Sequence, residues 1–312
     1  MLCLLRILET LINILSLFLL NKRQSGDMLL INPENYFLIV LGLIWILCAV
    51  LQDLKRREVD NLWNFSLIAF ALAYRLAFSA YTGNYWFFIN GLLGLAIFLF
   101  LGNLFYYARL FAGGDAKLVI ALGTVLPMSY NWITNFKIFG LFILLFLVMG
   151  SIYSLIWAFV LVLENFKEFK KEIYKQIKKF GKLFLVAIIT AVIGSILIYY
   201  ISGSPSLAIL FGIIIVLFPV LFIFAKAVEE SGLKKWISPN KLTEGEWLYN
   251  DITVAGKRIK ATWDGVSADE LKLIKKKYKK DVLIKEGIPF TPSFLLAFAC
   301  LLILFWNYRL WF

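Results

Sequence analysis

The chain has 312 residues, of which 61% are hydrophobic and 17% are charged, whereas an ordinary globular domain is about 45–50% apolar and about 25% charged. This composition excludes a soluble enzyme, a disordered protein and a secreted disulfide scaffold, and it indicates a protein that crosses the membrane several times. Histidine is absent, which excludes Ser-His-Asp and Cys-His nucleophiles and HExxH zinc proteases. The net charge of +12 is typical of basic cytoplasmic loops.

Nine apolar runs predict nine transmembrane helices, since about 20 apolar residues make one span. The runs lie near residues 2–20, 36–51, 62–80, 85–107, 116–130, 137–162, 183–201, 205–226 and 291–309. Most lysines and arginines fall in the segments after the second, fourth, sixth and eighth runs. Because cytoplasmic loops are enriched in these residues, we expect those segments and the N-terminus to be cytoplasmic.

One of these segments, residues 164–182, predicts a helix of its own. Its apolar residues recur at spacings of three and four among seven lysines. This pattern is typical of an amphipathic helix that lies on an anionic membrane surface. A solvated extension of the sixth span is the alternative interpretation.

Residues 228–287 form a polar stretch long enough for a small domain. Residues 252–254 and 259–263 flank a turn at Gly256 and predict a β-hairpin. A chain of about 60 residues buries little apolar surface by itself. We therefore expect this subdomain to lean on the membrane core.

The second half of the polar stretch predicts a helix. Ser267 with Glu270 three positions later is a capping box that opens a helix of about 268–280. Six lysines among residues 271–280 indicate a solvated helix face; contact with lipid phosphates or an acidic partner is the alternative.

The predicted fold is an all-α polytopic membrane protein of about nine transmembrane helices, with a small α+β cytoplasmic subdomain before the last helix. The predicted domains are a transmembrane helical core at 1–227, the subdomain at 228–287 and a C-terminal transmembrane helix at 288–312.

Four carboxylates lie at the inner mouth of the central spans: Asp53, Glu58, Asp60 and Asp115. With histidine absent, carboxylates are the main candidates for proton transfer at the membrane. Asp53 ends the second span and Asp115 begins the fifth, so two crossings place both in one compartment. An acidic residue beside a span is costly unless it is solvated, paired or functional. The structural alternatives are an ion pair of Asp53 with a neighbouring base and stabilisation of Asp115 by a helix dipole.

Two glycines, Gly113 and Gly114, precede Asp115. Glycine permits a tight turn and the close approach of another backbone. A peptide substrate in extended form would need that access, so the pair favours a catalytic interpretation of Asp115.

Three segments resemble motifs of membrane aspartyl proteases. Gly113-Gly114-Asp115-Ala116-Lys117 resembles the GxGD motif, with Ala112 in place of its first glycine. Asp53-Leu54-Lys55-x-Arg57-x-Val59-x-Asn61 resembles the first aspartate motif of prepilin peptidases. Residues 286–294, Glu-Gly-Ile-Pro-Phe-Thr-Pro-Ser-Phe, resemble the sequence before the last helix of archaeal enzymes. Together they are similar to the archaeal prepilin and preflagellin peptidases, which are type IV prepilin peptidase-like GxGD proteases.

The resemblance implies that Asp53 and Asp115 are the catalytic pair, with Gly113, Gly114 and Lys117 as supporting motif residues. It implies an aspartic-type endopeptidase that removes the short basic leader of type IV pilin-like or archaellin precursors. The active site would face the cytoplasm at the plasma membrane.

The resemblance also implies the partners, which are prepilin or prearchaellin precursors and the lipid bilayer, without nucleic acid. Glu58 and Asp60 are candidates for binding the basic leader; simple offsetting of the bases at 55–57 is the alternative. The zinc-binding cysteine cluster of the bacterial relatives does not occur in this sequence. We therefore expect no metal, no cofactor and no N-methylation.

Two other functions remain open. An intramembrane protease of the presenilin and signal-peptide-peptidase kind shares GxGD but would carry a Pro-Ala-Leu motif, which does not occur in this sequence. A non-enzymatic transporter or filament-assembly scaffold would use the aspartates for ion coupling or folding. Transport would favour charges deeper in the spans.

Overall fold

The computed structural model describes residues 34–308, so the first predicted span lies outside the described residues. The helices in this range are α1 (Asn35–Arg56), α2 (Asn61–Thr82), α3 (Trp86–Tyr107), α4 (Gly113–Leu122), α5 (Trp132–Glu164), α6 (Phe166–Ser202), α7 (Pro205–Gly232), α8 (Ala268–Lys277) and α9 (Pro292–Tyr308). Six of them, α1, α2, α3, α5, α6 and α7, are long and apolar enough to cross a membrane. The protein is therefore a multi-pass, mostly helical membrane protein with a small sheet region near its C-terminus.

The predicted fifth span, 116–130, does not form a membrane-length helix. Helix α4 has 10 residues and ends at Leu122, and most of the following residues up to Asn131 are turns and irregular chain. Arg75, a buried arginine of α2, donates hydrogen bonds to three carbonyl oxygens of this irregular chain, those of Thr124, Val125 and Pro127. Non-helical backbone at membrane depth is tolerated where protein groups satisfy it in this way. Helix α9, with 17 residues, is also shorter than the six candidate spans, so nine transmembrane helices are not supported.

The chain divides into two compact units, and the first contains the described residues up to Tyr153 and those from Pro289 onward. Its core is formed by fully buried residues of several helices, among them Leu38, Leu122, Phe142 and Phe298. Helix α1 contacts α2 and α9, and α4 contacts α2 and α3. The short helix α4 is therefore packed among longer helices, with its N-terminal end free to carry a functional group.

Glycine sets the distance between α3 and α4. A Cβ on Gly102 would lie 2.6 Å from the Ile120 side chain and 2.9 Å from the Ala116 carbonyl oxygen. Both distances are too short for a real side chain, so glycine at this position allows the two helix backbones to approach closely.

The second unit spans Ser154–Ile288 and contains the end of α5 and the long helices α6 and α7. Of residues 164–182, predicted as a separate surface helix, residues 166–182 are the first half of α6, which continues without a break to Ser202. Phe169 and Phe180 pack against Phe224 and Phe222 of α7, with ring centroids 5.8 and 5.2 Å apart. Part of the apolar face therefore covers a neighbouring helix. The domain boundaries predicted at residues 227 and 287 stay a prediction. The second compact unit contains α6 and α7 as well as the sheet.

The polar subdomain contains five short strands: β1 (Lys234–Ile237), β2 (Trp247–Leu248), β3 (Ile252–Val254), β4 (Lys257–Ile259) and β5 (Val282–Lys285). Strands β1, β5 and β2 form one antiparallel sheet in that order, and β3 pairs with β4. Ala255 and Gly256 both have positive φ, 51° and 83°, as a two-residue hairpin turn requires. The predicted hairpin is confirmed, although its second strand is Lys257–Ile259 rather than the predicted 259–263.

The predicted capping box is also confirmed. The Glu270 N–H donates to the Ser267 side chain, and the Ser267 N–H donates to the Glu270 carboxylate. The helix that it opens, α8, ends at Lys277 rather than near 280. Its one fully buried residue, Ile274, joins the small core of the subdomain.

Candidate active site

Asp53 lies in the last turn of α1 and is 6% exposed. The residue after the helix, Arg57, adopts a left-handed conformation and donates its N–H to the Asp53 carbonyl oxygen at 2.8 Å. The Asp53 carboxylate accepts two hydrogen bonds from Thr291, which precedes α9: the N–H is 3.0 Å and the hydroxyl 2.8 Å from Oδ2. Burial and these two donors fix the carboxylate in one orientation.

Asp115 is the third residue of α4. The helix begins after Ala112, whose backbone is extended, and the Asp115 carboxylate accepts a hydrogen bond from the Ala112 N–H. Asp115 retains some exposed surface as a residue, but its carboxyl group is surrounded by protein. Burial raises the pKa of Asp115 to about 7, the Asp53 carboxylate adds to the rise, and the Ala112 hydrogen bond opposes it.

The structure brings Asp53 and Asp115 together in one site. The charge of Asp53 acts on the titration of Asp115, so the two carboxylates lie within electrostatic range although 62 positions separate them in the chain. Neighbouring carboxylates cannot both ionise easily and tend to share a proton. Such a pair can activate a water with one member and donate a proton with the other.

The two glycines before Asp115 are not needed for the backbone conformation. Both lie in the first turn of α4, and neither has the positive φ that favours glycine. A Cβ on Gly113 would lie 3.9 Å from the Tyr106 ring, and a Cβ on Gly114 would lie 3.7 Å from Val59. The expectation of a tight turn is therefore wrong, and a Cβ at either position would make only ordinary van der Waals contacts.

Lys117 ties α4 to the beginning of α2. Its ammonium donates to the Asn61 side-chain oxygen at 2.6 Å. Asn64, one turn later on α2, approaches the Gly114 carbonyl oxygen at 3.5 Å and is buried. These contacts link the first-aspartate and second-aspartate segments that the sequence identified separately.

The two carboxylates predicted to bind a basic leader lie in the link between α1 and α2. Asp60 is bound locally: its side chain accepts a hydrogen bond from Gln52 and forms a 3.7 Å ion pair with Arg56. Glu58 is exposed. Leader binding by this pair stays a prediction, and Asp60 also has the offsetting role that was its alternative.

Sequence reasoning missed two residues at Asp53. Thr291 lies 238 positions away. It stands in the 286–294 motif and begins a Thr-Pro pair typical of a helix start, but neither signal pointed to Asp53. Tyr153 has a buried hydroxyl that interacts electrostatically with Asp53; no motif pointed to it.

Within residues 34–308, no group of three or more His, Cys, Asp or Glu is placed to hold a metal ion. Metal-independent activity stays a prediction.

Comparison with known proteins gives the class to which this site is similar. Residues 40–163 match the model of the type IV leader peptidase family, and this range contains both Asp53 and Asp115. The chain resembles prepilin and preflagellin peptidases, as the three motifs predicted.

Individual relatives are preflagellin peptidases of methanogens. That of Methanocaldococcus jannaschii is 27% identical over 134 residues, covering 40% of this chain and 56% of the relative. That of Methanococcus maripaludis is 25% identical over 134 residues, covering 40% and 57%, and that of Methanococcus voltae is 32% identical over 89 residues, covering 28% and 37%. The chain thus spans about half the length, or less, of the curated relatives it matches. No solved structure matches the chain.

Proposed function

We propose that this protein is a membrane aspartyl endopeptidase that removes the short basic leader of type IV pilin-like or archaellin precursors, without N-methylation. The observation that carries the proposal is that Asp53 and Asp115, both within the matched region, lie close enough for the charge of Asp53 to raise the pKa of Asp115. The similarity to preflagellin peptidases supports the substrate class.

The chemistry follows from a pair that holds one proton. The ionised aspartate accepts a proton from water, and the resulting hydroxide attacks the carbonyl carbon of the scissile peptide bond. The protonated aspartate donates a hydrogen bond to the carbonyl oxygen. As the carbon–nitrogen bond breaks, a proton passes to the leaving amine, and the products are a leader carboxylic acid and a new N-terminus.

A Cβ at Gly113 or Gly114 would make only ordinary contacts with the protein, so packing does not require glycine at either position. We infer that the glycines leave room for an extended substrate backbone. The cleaved bond would lie just before the hydrophobic helix of the precursor, so the site must be at the edge of the membrane. The lysine and arginine distribution supports the cytoplasmic edge.

Co-expression with a preflagellin or prepilin tests the proposal. We expect a shortened product with the wild-type protein and none with Asp53→Asn or Asp115→Asn, because asparagine keeps the shape but cannot ionise. Asp264→Asn, the same change at an exposed turn of the subdomain, is the matched control and should cleave normally. A chelator should leave the product unchanged, since the carboxylates alone activate the water.

Two results would contradict the proposal. Normal shortening by both asparagine variants at the site would remove the aspartates from the reaction. Cleavage inside the hydrophobic segment of the precursor would favour the presenilin-like alternative.

A further inference from the structure

The turn that begins the last helix holds Asp53 from one side. The Thr291 N–H and hydroxyl both donate to Oδ2, at 3.0 and 2.8 Å. Thr291 is completely buried and Asp53 nearly so. Bulk water therefore does not compete for these hydrogen bonds, and they act at full strength on one oxygen of the carboxylate.

Both hydrogen bonds hold the same oxygen of the Asp53 carboxylate, so they fix its orientation. Thr291 also directly precedes Pro292, the first residue of α9. The N-terminal end of a helix carries a partial positive charge. The carboxylate of Asp53 thus lies where two donors and a helix end all stabilise negative charge.

Asp115 has the opposite surroundings. It accepts one hydrogen bond, from Ala112, and burial together with the charge of Asp53 raises its pKa to about 7. Near neutral pH this carboxyl group holds a proton for a large part of the time. Asp115 is therefore the member of the pair that can donate a proton.

We propose that Thr291 is a positioning residue that holds the Asp53 carboxylate through Oδ2 and so orients Asp53 as the base of the pair. The inference rests on the proposed function and deepens it. In this arrangement Oδ2 is held by Thr291, and Oδ1 is the oxygen that takes the proton from water.

The electrostatic neighbours of Asp53 lie in the same compact unit. Asp115 on α4 and Tyr153 on α5 interact with it electrostatically, and Arg57, directly after α1, acts on Tyr153. Helix α9 has only Cys300 as a titratable side chain among residues 292–305. Of these groups Arg57 alone is positive at neutral pH.

Three variants of the full chain in detergent test the inference. Thr291→Val keeps the side-chain shape and the N–H but removes the hydroxyl, whereas Thr291→Ser keeps both donors. Ser293→Ala is the matched control, because Ser293 is equally buried and its hydroxyl donates within the same turn, to the Phe290 carbonyl oxygen at 2.6 Å. The probe is a synthetic peptide that spans the leader and the first hydrophobic residues of a preflagellin.

We expect the kcat of Thr291→Val to fall about tenfold, because one of the two hydrogen bonds that orient the carboxylate is lost and a misplaced catalytic group lowers the rate. KM should change little, and Thr291→Ser should restore the wild-type kcat. Ser293→Ala should leave kcat unchanged. A wild-type kcat for Thr291→Val, or an equal fall for Ser293→Ala, overturns the inference while the proposed function stands.

A second measurement does not depend on cleavage. We expect Thr291→Val to lower the melting temperature, and to lower it less in an Asp53→Ala background, because the hydroxyl then has no carboxylate to bind. Equal effects in both backgrounds overturn the inference even if the wild-type protein cleaves no peptide. Failure of the wild type to cleave counts against the proposed function alone.

Discussion

Replacing Arg75 by methionine should destabilise the first unit strongly. Arg75 lies in α2 and is completely buried. Its guanidinium donates to the carbonyl oxygens of Thr124 and Phe87, both at 2.9 Å, and of Pro127 at 2.7 Å. Methionine has a similar length and no donor, so the substitution removes the side-chain donor from three buried carbonyls.

The magnitude follows from the number of bonds. A hydrogen bond to a charged group contributes about 1.5–3 kcal/mol, so three contribute roughly 4–9 kcal/mol. Burying the guanidinium costs several kcal/mol, and the methionine variant does not have this desolvation cost. The expected net loss is about 3 kcal/mol, which corresponds to a melting temperature lower by roughly 6–12 °C for a chain of this size.

Thermal unfolding in detergent, followed by a thiol-reactive dye on the half-buried Cys48 and Cys300, measures this loss. A double-mutant cycle with Gly91 adds specificity, because a Cβ on Gly91 would collide with the Arg75 side chain. Gly91→Ala should destabilise the wild type but have a much smaller effect in an Arg75→Ala background. Wild-type melting of Arg75→Met, or additive effects in the cycle, would refute the structural role of Arg75.

Two further predictions concern the site. Gly114→Ala should leave the melting temperature near that of the wild type, since its Cβ makes only ordinary contacts. It should lower peptide turnover, because the methyl group occupies the proposed substrate space. Gly102→Ala should lower the melting temperature, because its Cβ collides with α4. Activity should also fall as pH rises through about 7, because burial raises the pKa of Asp115 to about 7 and the proton that it donates is lost above that pH. A pH–activity curve that is flat from pH 6 to pH 8 would contradict the acid role, and equal melting of the two alanine variants would contradict the packing.

Several parts of the fold could be predicted because their signals are local. The periodic apolar runs gave α1, α2, α3, α5, α6 and α7, and turn and cap residues gave the 252–259 hairpin and the start of α8. The common location of Asp53 and Asp115 followed from counting crossings. Each of these inferences needs only neighbouring residues or the direction of the chain.

The rest depends on contacts between distant residues. Thr291 reaches Asp53 across 238 positions, and strands β1 and β5 pair although about 50 residues separate them. The predicted span ran past the end of α4. An apolar run does not reveal that Arg75 donates hydrogen bonds to the carbonyls of the irregular chain after this helix. The glycines before Asp115 were explained by a turn, since the sequence does not show that their φ values are ordinary.

The most direct test is cleavage of a preflagellin peptide by the purified full chain, with the product identified by mass spectrometry. We expect a single cut between the basic leader and the hydrophobic segment, no product with Asp53→Asn or Asp115→Asn, and unchanged secondary structure in both variants. A single cut that persists in either variant, or no cut by a wild-type protein that is folded, would contradict the central claim that these two aspartates form a leader-peptidase site.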